Sequence, residues 1–238
     1  MRIAIISDIH SNRQALDAAI HELTSREVDA FWSTGDFVNY GADPAYVMDW
    51  VTENVEVAVL GNHDAVIVER ESQDYFNRYA RDTIPYTREK LSPTHTRFLK
   101  SLELTTAVQN LRLVHAAPDK PDNWEYVMSP GQARRLFSSF TEPICFFGHT
   151  HVQGIFDDDG NWMRDEKVQL ETGKRYLVNP GSVGQPRDRD SRWGAAIYDE
   201  EAHTVELIRG EYDIEDAAAE IYNAGLPPFL GDRLFQGR

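Results

Sequence analysis

Short apolar runs alternate with amphipathic stretches along the first third of the chain. Ile3–Ile6, Val28 with Phe31–Ser33, and Val55–Leu60 are compact runs bounded by turn-forming residues. Such runs predict strands buried on both faces. Between the first two, Ala15, Leu16, Ala18, Ala19, Ile20 and Leu23 form a stripe at helical spacing behind Ser11 and Asn12, either of which can cap the helix. Asp43–Pro44 offers an N-cap and a proline at the first helical position for a second helix through Tyr46, Val47, Trp50 and Val51. Strands alternating with helices predict βαβ units and a largely parallel sheet.

The middle of the chain is more helical. Residues from about Gln73 to Leu91 and from Ser92–Pro93 to Leu102 predict two helices. Thr106–Val114 predicts a hairpin turning at Asn110 and leading into His115; a helix follows Ser129–Pro130, and Ile144–Phe147 returns as a strand. The pattern then changes. Ile155–Trp162 turns through Asp157-Asp158-Asp159-Gly160, Tyr176–Val178 is apolar, and Ala195–Tyr198 pairs naturally with Thr204–Ile208. These are antiparallel signals. Asp213 caps a last helix ending at Gly225, and Leu226–Arg238 is left unassigned. The expectation is an α/β fold of two packed mixed β-sheets flanked by helices. It forms one domain over 1–238, with the C-terminal helix and tail beginning at about 213.

Charge narrows the partners. The chain carries 24 Lys+Arg against 39 Asp+Glu, a formal charge of −15. That balance argues against a nucleic-acid polymer, because phosphate neutralisation needs a basic surface. A small anionic substrate remains compatible if bound metal ions reverse the local field. The single cysteine, Cys145, lies in an apolar run and excludes an intramolecular disulfide framework. With no leader-like start and no run of 18 apolar residues, the expectation is a cytoplasmic protein without a membrane span.

Five clusters follow the predicted strands: Asp8-Ile9-His10, Gly35-Asp36, Gly61-Asn62-His63-Asp64, His115 and Gly148-His149-Thr150-His151. Each alone is a weak signal, since polar turns and buried histidines are common. Together they gather five of the eight histidines at strand ends, where α/β proteins place their sites. Carboxylate, imidazole and amide oxygen without thiolate suit a hard-to-borderline cation. On an extended chain, Asp8 and His10 would point to one side, as would His149 and His151, so a pair from each end could hold a cation between them.

In this order the clusters resemble the calcineurin-like metallophosphoesterase signature, D-x-H, G-D, G-N-H-D, H, G-H-x-H. The resemblance continues through Asn179-Pro180-Gly181-Ser182-Val183-Gly184, as in small prokaryotic members, and spans roughly residues 1–199. It implies a four-layer sandwich and a metal-dependent phosphoesterase acting on a small phosphodiester or nucleotide-type substrate. It further implies two divalent transition-metal ions, with Mn²⁺ favoured over Fe²⁺, Zn²⁺ or Co²⁺, that activate a shared hydroxide. Asp8, His10 and His151 would hold one ion, Asn62, His115 and His149 the other, and Asp36 would bridge them. His63 would protonate the leaving oxygen or stabilise phosphoryl charge, oriented by Asp64.

The chain departs from the phosphoprotein phosphatases in carrying Phe37-Val38-Asn39-Tyr40-Gly41 after Gly35-Asp36, and Asp64 in place of their glutamate. A phosphoprotein phosphatase is therefore the second enzymatic reading, and a catalytically silent binding scaffold is a third. Gly181, Ser182 and Gly184 would offer backbone N–H groups to a phosphate. Arg187 would either grip that phosphate as a substrate-binding residue or pair within Arg187-Asp188-Arg189-Asp190. Tyr40, Trp124 and Trp193 would either wall a nucleobase pocket or sit in the core.

Overall fold

A computed structural model describes the whole chain, residues 1–238. Its strands are β1 (Arg2–Ile6), β2 (Ala30–Ser33), β3 (Val55–Ala58), β4 (Thr105–Val108), β5 (Leu111–Val114) and β6 (Ile144–Phe146). They continue as β7 (Gly154–Asp157), β8 (Trp162–Met163), β9 (Lys167–Gln169), β10 (Tyr176–Asn179), β11 (Trp193–Asp199) and β12 (Thr204–Gly210). Two six-stranded sheets result, ordered β3-β2-β1-β11-β12-β9 and β4-β5-β6-β10-β7-β8. Each is mixed. β1, β2 and β3 run parallel, as do β5, β6 and β10, and the remaining pairs are antiparallel.

The apolar runs have two buried faces because each sheet is covered twice. In β1, Ile3 and Ile5 join Leu113, Phe146 and Val178 of the other sheet, while Ala4 and Ile6 turn outward to Leu16, Val47 and Met48. β6 repeats this arrangement: Ile144 and Phe146 face the intersheet core, and Cys145 faces outward to Leu136 and Phe137. Cys145 is fully buried, and burial pushes its thiol far above the usual range, so it serves as a packing residue.

Helices α1 (Arg13–Ser25) and α2 (Pro44–Asn54) cover the first sheet. Asn12 caps α1, its side chain accepting from the Ala15 N–H at 3.1 Å. After β3 come α3 (Asn62–Ile67), α4 (Arg78–Lys90) and α5 (Pro93–Ser101), and α6 (Pro130–Leu136) lies on the second sheet. The helix expected from Gln73 is broken. A single turn at Gln73–Tyr75 stops at Phe76, and α4 restarts behind Asn77, whose side chain caps Ala80. The competing cap at Asn77 wins over continuous helical spacing.

The C-terminal helix α7 (Ile214–Asn223) is capped by Asp213 and followed by Gly225 at φ +69°. The tail, unassigned from sequence, forms α8 (Phe229–Asp232) and a further turn at Leu234–Gln236, with Leu230 and Leu234 buried beside Tyr40 and Ile221. β9 was also missed; it is three residues long and pairs only at the sheet edge. No helix is long and apolar enough to cross a membrane.

Candidate metal centre

All five polar clusters lie beyond the C-terminal ends of parallel strands β1, β2, β3, β5 and β6, and the packing of the two sheets brings them together. The path of the backbone differs from the extended one expected. Asp8, His10, Asp36, His149 and His151 have φ between 49° and 64°, the left-handed region that costs most residues energy but is least unfavourable for Asp, Asn and His. Neighbouring main chain holds this shape: the N–H groups of Asp8, His10 and Ser11 donate to the carbonyls of Gly35, Asp36 and Phe37 at 2.9–3.1 Å.

One ring nitrogen of each of four histidines is tied to a main-chain carbonyl. His10 Nδ1 lies 3.1 Å from Val38 O, His115 Nδ1 2.8 Å from Thr34 O, His149 Nε2 2.9 Å from Trp124 O, and His151 Nδ1 2.5 Å from Gln185 O. A carbonyl only accepts, so each of these nitrogens carries a proton, and in the neutral ring the other nitrogen is a bare lone pair. Those lone pairs converge. His10 Nε2 and His151 Nε2 are 3.2 Å apart, and Asp8 Oδ1 is 3.1 Å from His151 Nε2. Burial pushes His10 down to about 3 and His151 well below its usual value, so this contact is three acceptors without a donor rather than an ion pair.

The second group has the same form. His115 Nε2 lies 3.2 Å from His149 Nδ1, 3.1 Å from Asn62 Oδ1 and 3.2 Å from Asp36 Oδ2. Burial pushes His149 to about 3. Burial also opposes a charge on His115, but the Asp36 carboxylate overcomes it and raises His115 to about 9. Without a cation, a proton on His115 takes its place.

Both carboxylates are half pinned. Asp8 Oδ2 accepts from Ser7 Oγ at 2.5 Å and from the His149 N–H at 3.1 Å; Asp36 Oδ1 accepts from the His63 N–H at 2.8 Å. Asp8 Oδ1 and Asp36 Oδ2 are buried with no hydrogen-bond partner. Asp36 Oδ2 faces His115 and, at 3.7 Å, His10, so it belongs to both groups. Leaving such atoms unpaired costs about 1–3 kcal/mol each, more for charged groups. Carboxylate oxygens and imidazole nitrogens converging in this way, with only the proton on His115 between them, fit divalent cations, and the backbone carbonyls orient the rings.

His63 sits at the start of α3, buried, its ring 4.3 Å from Phe76 and 4.6 Å from Tyr40. One of its nitrogens lies within 4.8 Å of ligand atoms of His10 and Asp36. Asp64 does not orient it. The Asp64 carboxylate instead accepts from the N–H groups of Gly61, Asp36, Phe37 and Val38 at 2.8–3.3 Å, shaping the loop that carries Asp36. The orienting residue is Asn39, which sequence reasoning missed. Its Nδ2 donates to Ala80 O at 3.1 Å, which fixes the amide orientation, and to His63 Nδ1 at 2.8 Å. Thr83 Oγ1 donates to Asn39 Oδ1. His63 Nδ1 is therefore the acceptor, and Nε2 carries the proton.

Two of the three N–H groups expected to cradle a phosphate, those of Gly181 and Gly184, are already used. The N–H groups of Gly181, Val183, Gly184 and Gln185 donate within the protein, to Asn179 Oδ1, Ser7 O, Asp8 O and Ser182 Oγ. Gly184 is small because a Cβ there would stand 1.8 Å from Ile9 O. Gly184→Ala should therefore lower stability by about 1–3 kcal/mol and disturb Asp8, read by urea unfolding. A cradle role would instead weaken phosphate binding at unchanged stability.

Arg187 lies at the rim. It pairs with no carboxylate, since Asp188 is engaged by Arg209 and Asp190 by Arg192. Beside it opens a cleft of about 480 Å³, lined by Tyr40, Asn62, His63, Phe76, Trp124, Tyr126 and His149 among others. Of the three expected pocket aromatics, Tyr40 and Trp124 line the cleft. Trp193 is buried in the core on β11. Tyr126, unforeseen, stacks on His149 at 4.1 Å.

Residues 1–203 match the family model of the calcineurin-like phosphoesterase superfamily domain. The chain belongs to that superfamily. A metallophosphoesterase of Sphaerobacter thermophilus superposes with a TM-score of 0.91 at 37% identity, over 100% of this chain and 99% of its own. An uncharacterized protein of Methanocaldococcus jannaschii is 37% identical over 241 residues, 99% of this chain and 98% of that protein. A hypothetical protein of Pyrococcus horikoshii shares the fold at TM-score 0.80 and 18% identity, over 100% and 98% of the two chains. As in such metallophosphoesterases, two mixed sheets are flanked by helices here, and the Asp and His candidates cluster at one edge.

Proposed function

We propose that this metallophosphoesterase hydrolyses a small phosphodiester or nucleotide-type ester with two divalent transition-metal ions. The observation that carries the reading is the pair of converging Asp, Asn and His clusters joined by Asp36 Oδ2. Asp8, His10, His151 and Asp36 would hold one ion, and Asn62, His115, His149 and Asp36 the other. Bound ions would supply Lewis acidity, activating water and neutralising phosphate charge.

The protein's own residues do the rest. Asp36 supplies one carboxylate to both groups. His63 presents its Nε2–H, through the Asn39 hydrogen bond, to a phosphoryl or leaving oxygen. Arg187 offers a guanidinium without a carboxylate partner to the phosphate groups of the substrate. Phe76, Trp124 and Tyr126 provide apolar walls on which a nucleobase can stack. A cleft of this volume suits a small molecule, and the charge of −15 opposes a nucleic-acid polymer.

The test is a turnover screen with Mn²⁺ over bis(p-nitrophenyl) phosphate, p-nitrophenyl phosphate, dinucleoside polyphosphates and a phosphopeptide. Diester or nucleotide turnover should exceed that of the monoester and the peptide. Preference for the phosphopeptide, or no turnover with any divalent ion, contradicts the reading.

A further inference from the structure

The tail beyond the region matched by the family model places a second arginine beside the centre. Arg233 follows α8, and its guanidinium carbon is 5.9 Å from the centroid of the Tyr40 ring, the same distance as that of Arg187. The Tyr40 ring in turn lies 4.9 Å from His10 and 4.6 Å from His63. The segments carrying the two arginines are joined, because the Arg189 N–H donates to Gly237 O at 2.9 Å. Buried Leu230 and Leu234 anchor the tail.

Neither guanidinium has an Asp or Glu partner within 4 Å, in a chain where acids outnumber Lys and Arg 39 to 24. The acids nearest in sequence are engaged elsewhere: Asp188 with Arg209, Asp190 with Arg192, and Asp232 with the Tyr222 hydroxyl at 2.7 Å. Arg187 donates to Gln185 Oε1 at 2.9 Å and lies beside the Tyr126 hydroxyl, and its Nε is buried without a partner. Arg233 Nε donates to an oxygen of Arg238, the last residue, where it meets the terminal carboxyl group; its two terminal NH2 groups have no protein acceptor. Partial burial, then the neighbouring Arg187 charge, pulls Arg233 down to about 10. Arg187 lacks any carboxylate partner and Arg233 has only the terminal carboxyl at its Nε, so two part-buried like charges remain undercompensated unless an anion completes them. The ring of Tyr40 offsets only part of that cost.

We propose that Arg233 and Arg187 form a second anion subsite next to the metal-ligand cluster, occupied by a further phosphoryl group of the substrate. This rests on the phosphoesterase reading and narrows its substrate to a nucleotide bearing a phosphoanhydride. The phosphoryl group that reacts lies at the metal-ligand cluster. The adjoining one lies against the two guanidiniums, whose planar forks suit bidentate contact with phosphate oxygens.

Calorimetric binding of inorganic pyrophosphate and of orthophosphate to the Mn²⁺-loaded protein tests the subsite. Arg233→Met keeps the apolar stem over Tyr40 and removes the fork; Arg233→Lys keeps the charge. Loss of one charge-assisted contact should weaken pyrophosphate by about tenfold or more in the Met variant, while orthophosphate changes by less than about threefold. The Lys variant should fall between the Met variant and wild type. A KM increase for a dinucleoside polyphosphate, larger than that for bis(p-nitrophenyl) phosphate, should accompany this. Equal weakening of both anions, or no weakening in either variant, overturns the subsite. Wild-type turnover of bis(p-nitrophenyl) phosphate is measured alongside. Its absence overturns the phosphoesterase reading, whereas turnover without a selective loss in the Arg233 variants overturns only the subsite.

Discussion

Asp36→Asn should lower metal content and reduce kcat/KM by about 10³-fold or more, beyond the 10–100-fold typical of a residue that merely orients a ligand. The substituted side chain would still accept the His63 N–H through its oxygen, as Oδ1 does at 2.8 Å. That hydrogen bond leaves the amide nitrogen at the position of Oδ2, aiming N–H groups at His115 and His10 where the wild type presents an unshared oxygen. A negative charge is lost at the one atom common to both clusters. Asn62→Ala removes a neutral oxygen from one cluster only and should cost less in both metal content and rate. Metal analysis of the two variants, purified without chelator, decides the matter. Equal metal content in wild type and Asp36→Asn would contradict the bridging role.

His63→Ala and His63→Gln should keep wild-type metal content and fold yet lose about 10²–10⁴-fold in rate. Burial holds His63 near 3, and Asn39 keeps its proton on Nε2. A neutral imidazole so placed is a hydrogen-bond donor to developing charge. The loss should therefore be similar for an alkyl ester and a p-nitrophenyl ester. A much larger loss for the alkyl ester, whose leaving group needs protonation, would identify His63 as the proton donor instead. Loss of a metal ion in the variant would make His63 a ligand, in keeping with its nearness to His10 and Asp36.

The gathering of the candidate Asp, Asn and His residues was legible from sequence because polar clusters follow strand ends, which period-2 and period-3.6 patterns locate; their assignment to two ions was implied by the family resemblance. What was missed depends on contacts that no local pattern encodes. Asn39 acts only because Ala80 and Thr83 of α4 approach it across more than 40 residues. Asp64, adjacent to His63, instead turns back to four main-chain N–H groups, since the first turn of α3 points it toward the Asp36 loop. The glycines after Asn179 resembled an anion cradle, but the Gly181 N–H closes a turn on Asn179 Oδ1 and the Gly184 N–H holds the Asp8 loop. Arg233 lies in a tail without strand or helix periodicity, and only its docking beside Tyr40 gives it meaning. The apolar core pattern carried the fold further: both faces of β1 and β6 are buried, as their unbroken runs required.

The central claim is that seven side chains, Asp8, His10, Asp36, Asn62, His115, His149 and His151, hold two ions with Asp36 between them. Crystals grown with saturating Mn²⁺ and measured at the manganese absorption edge test it directly. The expected result is two anomalous peaks per chain, one within Asp8, His10, His151 and Asp36 and one within Asn62, His115, His149 and Asp36. A single peak, or peaks away from these side chains, would contradict it.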